Sequence, residues 1–431
     1  MRTRVANSGV RLPELMAALS MATDLGMGQP VESALSSCVV AMRLGDSLGL
    51  DEETMRDVYY QALLRYIGCN ADTHALAAIF GDELVLRHDF AALDPGEPVQ
   101  VVELAISFIR QANAAEAPER LAALVSRILM TLPEMMHESF AGHCEVAQML
   151  AERLGLPESL IVCLGQLYER WDGKGQPNGL QGHEVAVPVV VVTLAQDAVI
   201  WARIGGVEAA VATIHKRSGA AYHPEMAERF CQEAAKLLDG LDQEPTWESV
   251  LALEPGSPEP LSDEDFDRCC AAMADFADIK SPFTLGHSSG VAELASGAGR
   301  RAGLIDADVT TLRRAGLLHD IGRVGVSAGI WGRPGPLSQR DWEQVRLHPY
   351  YTERVLARPE SLGKVGLLAS QHHERTDRSG YHRGSGASAL SMSARILAAA
   401  DAYHAMAEER PYRAALTPER AAEELRGEVR A

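Results

Sequence analysis

A-G-L-L-H-D-I-G-R-V-G, running from Ala315 to Gly325, reads as an apolar helical turn that ends by presenting His319 and Asp320 side by side. Neighbours on a helix point about 100° apart, so an adjacent imidazole and carboxylate can face one cavity while Leu317, Leu318 and Ile321 anchor the turn in a core. Working outward, His348 lies in R-L-H-P, His372 and His373 are adjacent in S-Q-H-H-E-R, and Asp401 ends the small-residue run A-A-A-D. Upstream, His287 stands in L-G-H-S-S-G-V-A-E-L, whose apolar residues recur at helical spacing. These residues supply nitrogen and oxygen donors with no cysteine among them. Such a set suits two borderline or hard cations and is poor for a structural zinc.

The series resembles the HD-GYP family, a branch of the HD metal-dependent phosphohydrolases, in order and rough spacing from about Ser281 to Pro418, including R-P-Y-R at Arg410–Arg413. The resemblance implies an all-α phosphodiesterase domain with two divalent ions (Fe, Mn, Ni or Zn), typically acting on cyclic di-GMP. It implies that Asp320 bridges both ions, that His287, His319 and Asp401 attend mainly one, and that His348, His372 and His373 attend the other. Two metals of this kind clamp phosphoryl oxygens and acidify a bridging water. Some members hold a third ion through a Glu one helical turn before the first His; that position is Phe283 here, so two ions are expected.

Three departures from the family pattern bear on substrate. The lysine of D-I-G-K is Arg323, expected at the catalytic centre and against substrate, where a guanidinium keeps the charge but is a poor proton donor. G-Y-P reads Gly380-Tyr381-His382, and the W-D-G before it reads Thr376-Asp377-Arg378. Without the proline, the loop that aims Tyr381 at substrate loses a fixed φ. His382 is then an extra ligand, a phosphate contact or an exposed loop residue. Arg323, Arg383, Arg410 and Arg413, with Tyr381, are the expected substrate contacts, since a planar guanidinium binds phosphate or guanine bidentately.

A length of 431 residues gives room for two or three domains. Lys and Arg number 40 against 59 Asp and Glu, a formal charge of −19, which argues against nonspecific binding to nucleic acid or membrane surfaces. Cys38, Cys69, Cys144, Cys163, Cys231, Cys269 and Cys270 show no C-x-x-C and read as reduced, mostly buried thiols. The longest apolar run, Val185–Ala195, contains Pro188 and falls short of the ~20 residues of a membrane span. A cytoplasmic protein without a membrane segment is expected.

The first half reads as a worn copy of the second. Tyr168–Gly179, Y-E-R-W-D-G-K-G-Q-P-N-G, aligns with His373–Gly384, H-E-R-T-D-R-S-G-Y-H-R-G, and the same offset sets His143 under His348. A second offset lays Ala62–Cys69, A-L-L-R-Y-I-G-C, under G-L-L-H-D-I-G-R. In these columns His287, His319, Asp320, His372, His373 and Asp401 become Ser33, Arg65, Tyr66, Leu167, Tyr168 and Gln196, leaving only His143. That lobe is expected to be without metal or turnover. Extra residues at about 70–140 form a helical insertion with helices at Leu84–Leu93, Val99–Ala112 and Pro118–Leu132. His88–Asp89 within it reads as a surface coincidence.

The expected organisation is therefore a degenerate lobe over residues 1–238, an acidic Pro-rich linker over 239–262 with a short helix at Trp247–Leu253, and a metal-bearing lobe over 263–431 opened by Ser262 as N-cap. The leading function is a dinuclear phosphodiesterase for cyclic di-GMP or a related nucleotide. A nucleotide-sensing, dimerising regulatory module and a nucleotide phosphomonoesterase remain as alternatives, and a homodimer is expected. The helical pattern Pro418–Val429 lacks a stop signal before Ala431, which leaves either a frayed tail or a DNA-binding output domain beyond it.

Overall fold

Long runs of Ala, Leu, Glu and Arg at helical spacing produce helices almost throughout the computed structural model, which describes residues 7–241, 246–256 and 259–427. The all-α class is as expected. Among the described residues the only strands are Asn7–Arg11 and Pro260–Ser262, paired antiparallel. Two compact units result: Leu19–Glu259, the first lobe, and the chain up to Ala18 with Pro260–Ala431, the second.

That division corrects the sequence reading at two places. The N-terminal residues join the second lobe through the Asn7–Arg11 strand, a long-range pairing that no local periodicity reports. The 239–262 stretch is not a free linker, because its helix Thr246–Ala252 packs into the first lobe. Trp247 and Val250 are buried there, and Tyr59 donates its hydroxyl proton to the Val250 carbonyl at 3.1 Å. Asp242–Pro245, Ser257–Pro258 and the tail Glu428–Ala431 lie outside the described residues.

In the second lobe, Ser262 caps helix Asp263–Asp278 by accepting from the Asp265 N–H. Helix His287–Arg301 packs on both Asp306–Leu318 and Met392–Ala407 through buried Val291, Ala295, Leu312, Leu318 and Leu397. Asp278 accepts from the Ser288 N–H and hydroxyl, and so pins the start of the helix that carries His287.

The first lobe repeats these devices at the same offsets. Asp24 accepts from the Ala34 N–H, as Asp278 does from Ser288. Helix Glu52–Leu64 ends at Arg65, as Asp306–Leu318 ends at His319. Glu169 accepts from the Asn178 and Leu180 N–H groups, as Glu374 does from Arg383 and Ser385. A Cβ on Gly68 would stand 1.9 Å from the His143 carbonyl oxygen, and one on Gly322 would stand 2.2 Å from that of His348. Only glycine permits either contact.

The insertion folds as helices Thr73–Phe80, Glu83–Phe90 and Pro98–Ala112 around a small core that includes Phe80, Val101, Phe108, Ile109 and Leu132. Its last helix does not stop at Leu132: Pro118–Leu154 runs straight through Pro133. An interior proline costs a helix one hydrogen bond. Buried Ile128 and Leu132 before it, and Phe140, Ala147 and Leu150 after it, hold the two halves together. His88 and Asp89 are exposed, and His88 Nδ1 meets the Gly28 carbonyl. All seven cysteines are free and only Cys231 is less than buried. Val187–Arg217 is long and apolar enough to cross a membrane by length and composition alone. Gly205 and Gly206 leave helical geometry inside it, and Val189–Val192 and Leu194 lie in the first-lobe core.

Candidate metal centre

His319 and Asp320 sit where helix Asp306–Leu318 gives way to the tight turn Ile321–Gly325. Thr352 fixes that turn from both sides: its hydroxyl donates to the His319 carbonyl and accepts from the Gly322 N–H. Around Asp320 the structure gathers His287 and His348, each the first residue of its helix, His372 just after Gly363–Ala369, and Asp401 inside Met392–Ala407. All are buried, and His373, partly exposed, completes the ring.

The imidazoles share one orientation device. Nδ1 of His319, His348 and His372 donates to the backbone carbonyl three residues earlier, of Gly316, Val345 and Ala369 respectively. With the proton on Nδ1, each Nε2 presents a lone pair to the centre. His287 achieves the same by donating Nδ1–H to Glu408 Oε2 at 2.9 Å, the carboxylate–histidine pairing found behind metal ligands.

The donors separate into two groups. His348, His372 and His373 converge within 4.8 Å, as do His287, His319 and Asp401. Asp320 lies between them. Its Oδ1 is 3.5 Å from Nε2 of both His348 and His372, and its Oδ2 is 3.6 and 3.9 Å from Nε2 of His319 and His287. Two features fit cations there. His319 Nε2 is buried without a hydrogen-bond partner, and the lone-pair nitrogens of His348 and His372 face each other at 3.0 Å.

Burial opposes ionisation of Asp320, yet His319, the Arg323 guanidinium and the His372 and His348 imidazoles around it hold it well below the usual carboxylate range. Asp401 is likewise held low against burial by His287 and His319. Burial pushes His348 down to about 3 and, with His372 and His348 as neighbours, takes His373 well below its ordinary value. Those two rings are neutral at physiological pH, the form in which an imidazole can bind a cation. His287 goes the other way, to about 9, because hydrogen bonds to Asp401 and Glu408 outweigh its burial, so a cation taking its Nε2 lone pair competes there with a proton.

Among the expected substrate contacts, Arg323, Tyr381 and Arg410 line a cavity of about 1230 Å³ over this centre. Arg323 Nη1 donates to Asp320 Oδ2 at 2.9 Å while its guanidinium lies 4.0 Å over the Trp331 ring. Tyr381 stacks on His373 with centroids 4.8 Å apart. Burial, reinforced by Asp401 and Asp320, raises its hydroxyl so that it stays protonated. Arg410 is buried, donating to the Phe283 carbonyl and pairing with Glu408.

Arg383 and Arg413 do not belong to the site. Arg383 is drawn away by an ion pair with Glu353, and Arg413 caps a helix end by donating to the carbonyls of Ala405 and Met406. His382 also turns to Glu353, at 3.0 Å. Sequence reasoning missed Glu408, His404 and Trp331. His404 Nδ1 is 3.1 Å from Glu408 Oε1, and both cluster with His287. The spacing of Asp401, His404 and Glu408, three and seven residues along one helix face, was a signal available in the sequence.

The column under this centre in the first lobe holds no second such site among the described residues. His143 Nε2 lies 3.0 Å from Asp72 Oδ1, without the alignment of a hydrogen bond, and its Nδ1 is 2.9 Å from the Tyr168 hydroxyl.

Comparison with known proteins places this geometry in context. The HD domain family matches residues 271–431. Over 97% of its length the chain is 31% identical to a Vibrio cholerae protein described as 3'3'-cGAMP-specific phosphodiesterase 3, covering 91% of that protein. A Thermotoga maritima cyclic di-GMP phosphodiesterase is 35% identical over 129 residues, 30% of this chain and 35% of its own. A solved Vibrio cholerae cyclic GMP-AMP specific phosphodiesterase superposes with a TM-score of 0.66 at 29% identity, covering 97% of this chain and 94% of that one.

Proposed function

Because the chain belongs to the HD-GYP family of HD-domain phosphodiesterases, we propose that its second lobe hydrolyses a phosphodiester bond of a cyclic dinucleotide, 3'3'-cGAMP or cyclic di-GMP, with two divalent ions held by His287, His319, Asp320, His348, His372, His373 and Asp401. The observation that carries this reading is Asp320, whose two carboxylate oxygens face different groups of imidazole nitrogens. Bound ions of this kind supply charge neutralisation at the phosphate and an acidified water.

The chain's own residues account for the rest. Arg323 orients the Asp320 carboxylate from the cavity side and leaves a cation beside the phosphate position. Tyr381, protonated and facing the cavity, offers a hydrogen bond to a phosphate or ribose oxygen. Arg410 presents a second guanidinium whose direction Glu408 and the Phe283 carbonyl fix. The cavity is large enough for a ligand of dinucleotide size. The recurrent features in the first lobe support an origin by duplication followed by loss of the ligands.

The test combines metal analysis with product analysis on both cyclic dinucleotides. About two metals per chain and a linear dinucleotide product are expected, and Asp320→Ala should abolish both. Stoichiometric metal surviving the double change His319→Ala and Asp320→Ala would sink the ligand assignment. Full metal content with neither nucleotide cleaved would replace the enzyme by a nucleotide-sensing module.

A further inference from the structure

The first lobe has a cavity of about 650 Å³ of its own, within the range of small-ligand sites. Arg65 lines it, in the position that His319 occupies in the second lobe and only 9% exposed. Its guanidinium donates one hydrogen bond, to Thr193 Oγ1 at 3.0 Å, and pairs with no carboxylate among the described residues. The other buried cations of the lining are already matched. Arg87 and His143 share Asp72, Arg170 pairs with Asp94 and Asp172, and Arg217 with Asp197, while Lys174 is exposed. Arg65 is thus one buried positive charge without a counterion, an unfavourable state that a bound anion relieves. The buried amide oxygens of Gln196, which stands in the Asp401 column, and Gln176 lack hydrogen-bond partners and belong to the same lining. Either amide can be turned to offer its NH₂ to an anion.

Much of the rest of the wall is hydrocarbon. Leu76, Ile79, Phe80, Val101, Leu104 and Met135, all from the helical insertion, line it. Phe140 and Tyr168 in the lining stack on each other with centroids 4.2 Å apart. A single unmatched cation disfavours a cyclic dinucleotide, with its two phosphates, and an apolar wall favours a ligand with a hydrocarbon body. We infer that this cavity binds a single-chain amphiphile with one carboxylate head, a long-chain fatty acid, with the head on Arg65 and the tail along the insertion. In place of the lost metal site, the degenerate lobe then carries a lipid-responsive pocket. This reading does not depend on the substrate of the second lobe.

The experiment titrates the full-length protein with saturated fatty acids from octanoate to palmitate, reading affinity by calorimetry. Affinity should rise roughly fourfold per added methylene until the cavity is full. Hexadecanol, which has the tail without the charge, should bind roughly tenfold or more weakly than palmitate, and Arg65→Gln should weaken palmitate by a similar factor. Leu104→Trp, which keeps Arg65 but fills the tail space, should abolish palmitate binding and leave octanoate less affected. Thermal unfolding of each variant checks that the lobe is folded. The proposal is overturned if palmitate binds wild type no tighter than hexadecanol or octanoate. It is equally overturned if GMP displaces palmitate, or if folded Arg65→Gln and Leu104→Trp bind it as wild type does.

Discussion

Glu408 shows how a single residue outside the recognised motif can govern the centre. By accepting the Nδ1 proton of His287 it keeps the Nε2 lone pair of that ring aimed at Asp320 and Asp401, and its other oxygen meets His404. Removing such a supporting carboxylate typically lowers metal affinity about 10- to 100-fold. Glu408→Ala should therefore show that loss in chelator competition while the helices stay folded, and unchanged metal affinity would reduce Glu408 to a surface contact of Arg410. Arg378 shows a different local compromise. It adopts φ 70° where the first lobe has Gly173 at φ 76°, so the turn outlasts the glycine that favours it. A side chain in that region costs roughly 1–2 kcal/mol.

Between helices, the packing that builds the centre depends on glycine. Gly322 lets the tight turn after Asp320 press on the first turn of His348–Leu356, with no room for a Cβ against the His348 carbonyl. Gly322→Ala must push apart the elements that carry Asp320 and His348, an overpacking of about 1–3 kcal/mol or more. The expected outcome is a lowered denaturation midpoint together with loss of metal. Gly68→Ala, at the same contact with the His143 carbonyl, should destabilise comparably and leave metal content intact. Equal metal loss from both variants would contradict the assignment of the ions to the second lobe alone.

Across the whole molecule, the two lobes share devices and differ in chemistry. His143 keeps the place of His348, but its neighbours are Tyr168, Asp72 and Phe140, a buried hydrogen-bonded and aromatic cluster. Burial disfavours its charge, yet Cys69 and Asp72 together raise it to about 10, and with Tyr168 and Asp72 at its two ring nitrogens no group of metal donors gathers around it among the described residues. His143→Gln should leave metal content and hydrolysis within error of wild type, as read by elemental analysis and product formation. Metal lost on that change would overturn the reading of the first lobe.

The helical class, the donor residues in order and the erosion of the first copy were legible in the sequence by itself, because helical periodicity and ligand identity are properties of short segments. The same spacing placed His319 beside Asp320 at a helix end. What only the tertiary structure decided involves partners far apart along the chain. Arg383 and Arg413 look as able to hold phosphate as Arg410 until Glu353 and the carbonyls of Ala405 and Met406 claim them. The Asn7–Arg11 strand joins the second lobe through residues some 250 positions away. Pro133 reads as a helix stop, and buried side chains on both flanks carry the helix past it. In the sequence Arg65 reads as the simple loss of a ligand; only the cavity around it, where Arg87, Arg170 and Arg217 have carboxylate partners, makes it an unmatched charge. Motif and period act locally, whereas which charge finds which counterion is settled when the chain closes on itself.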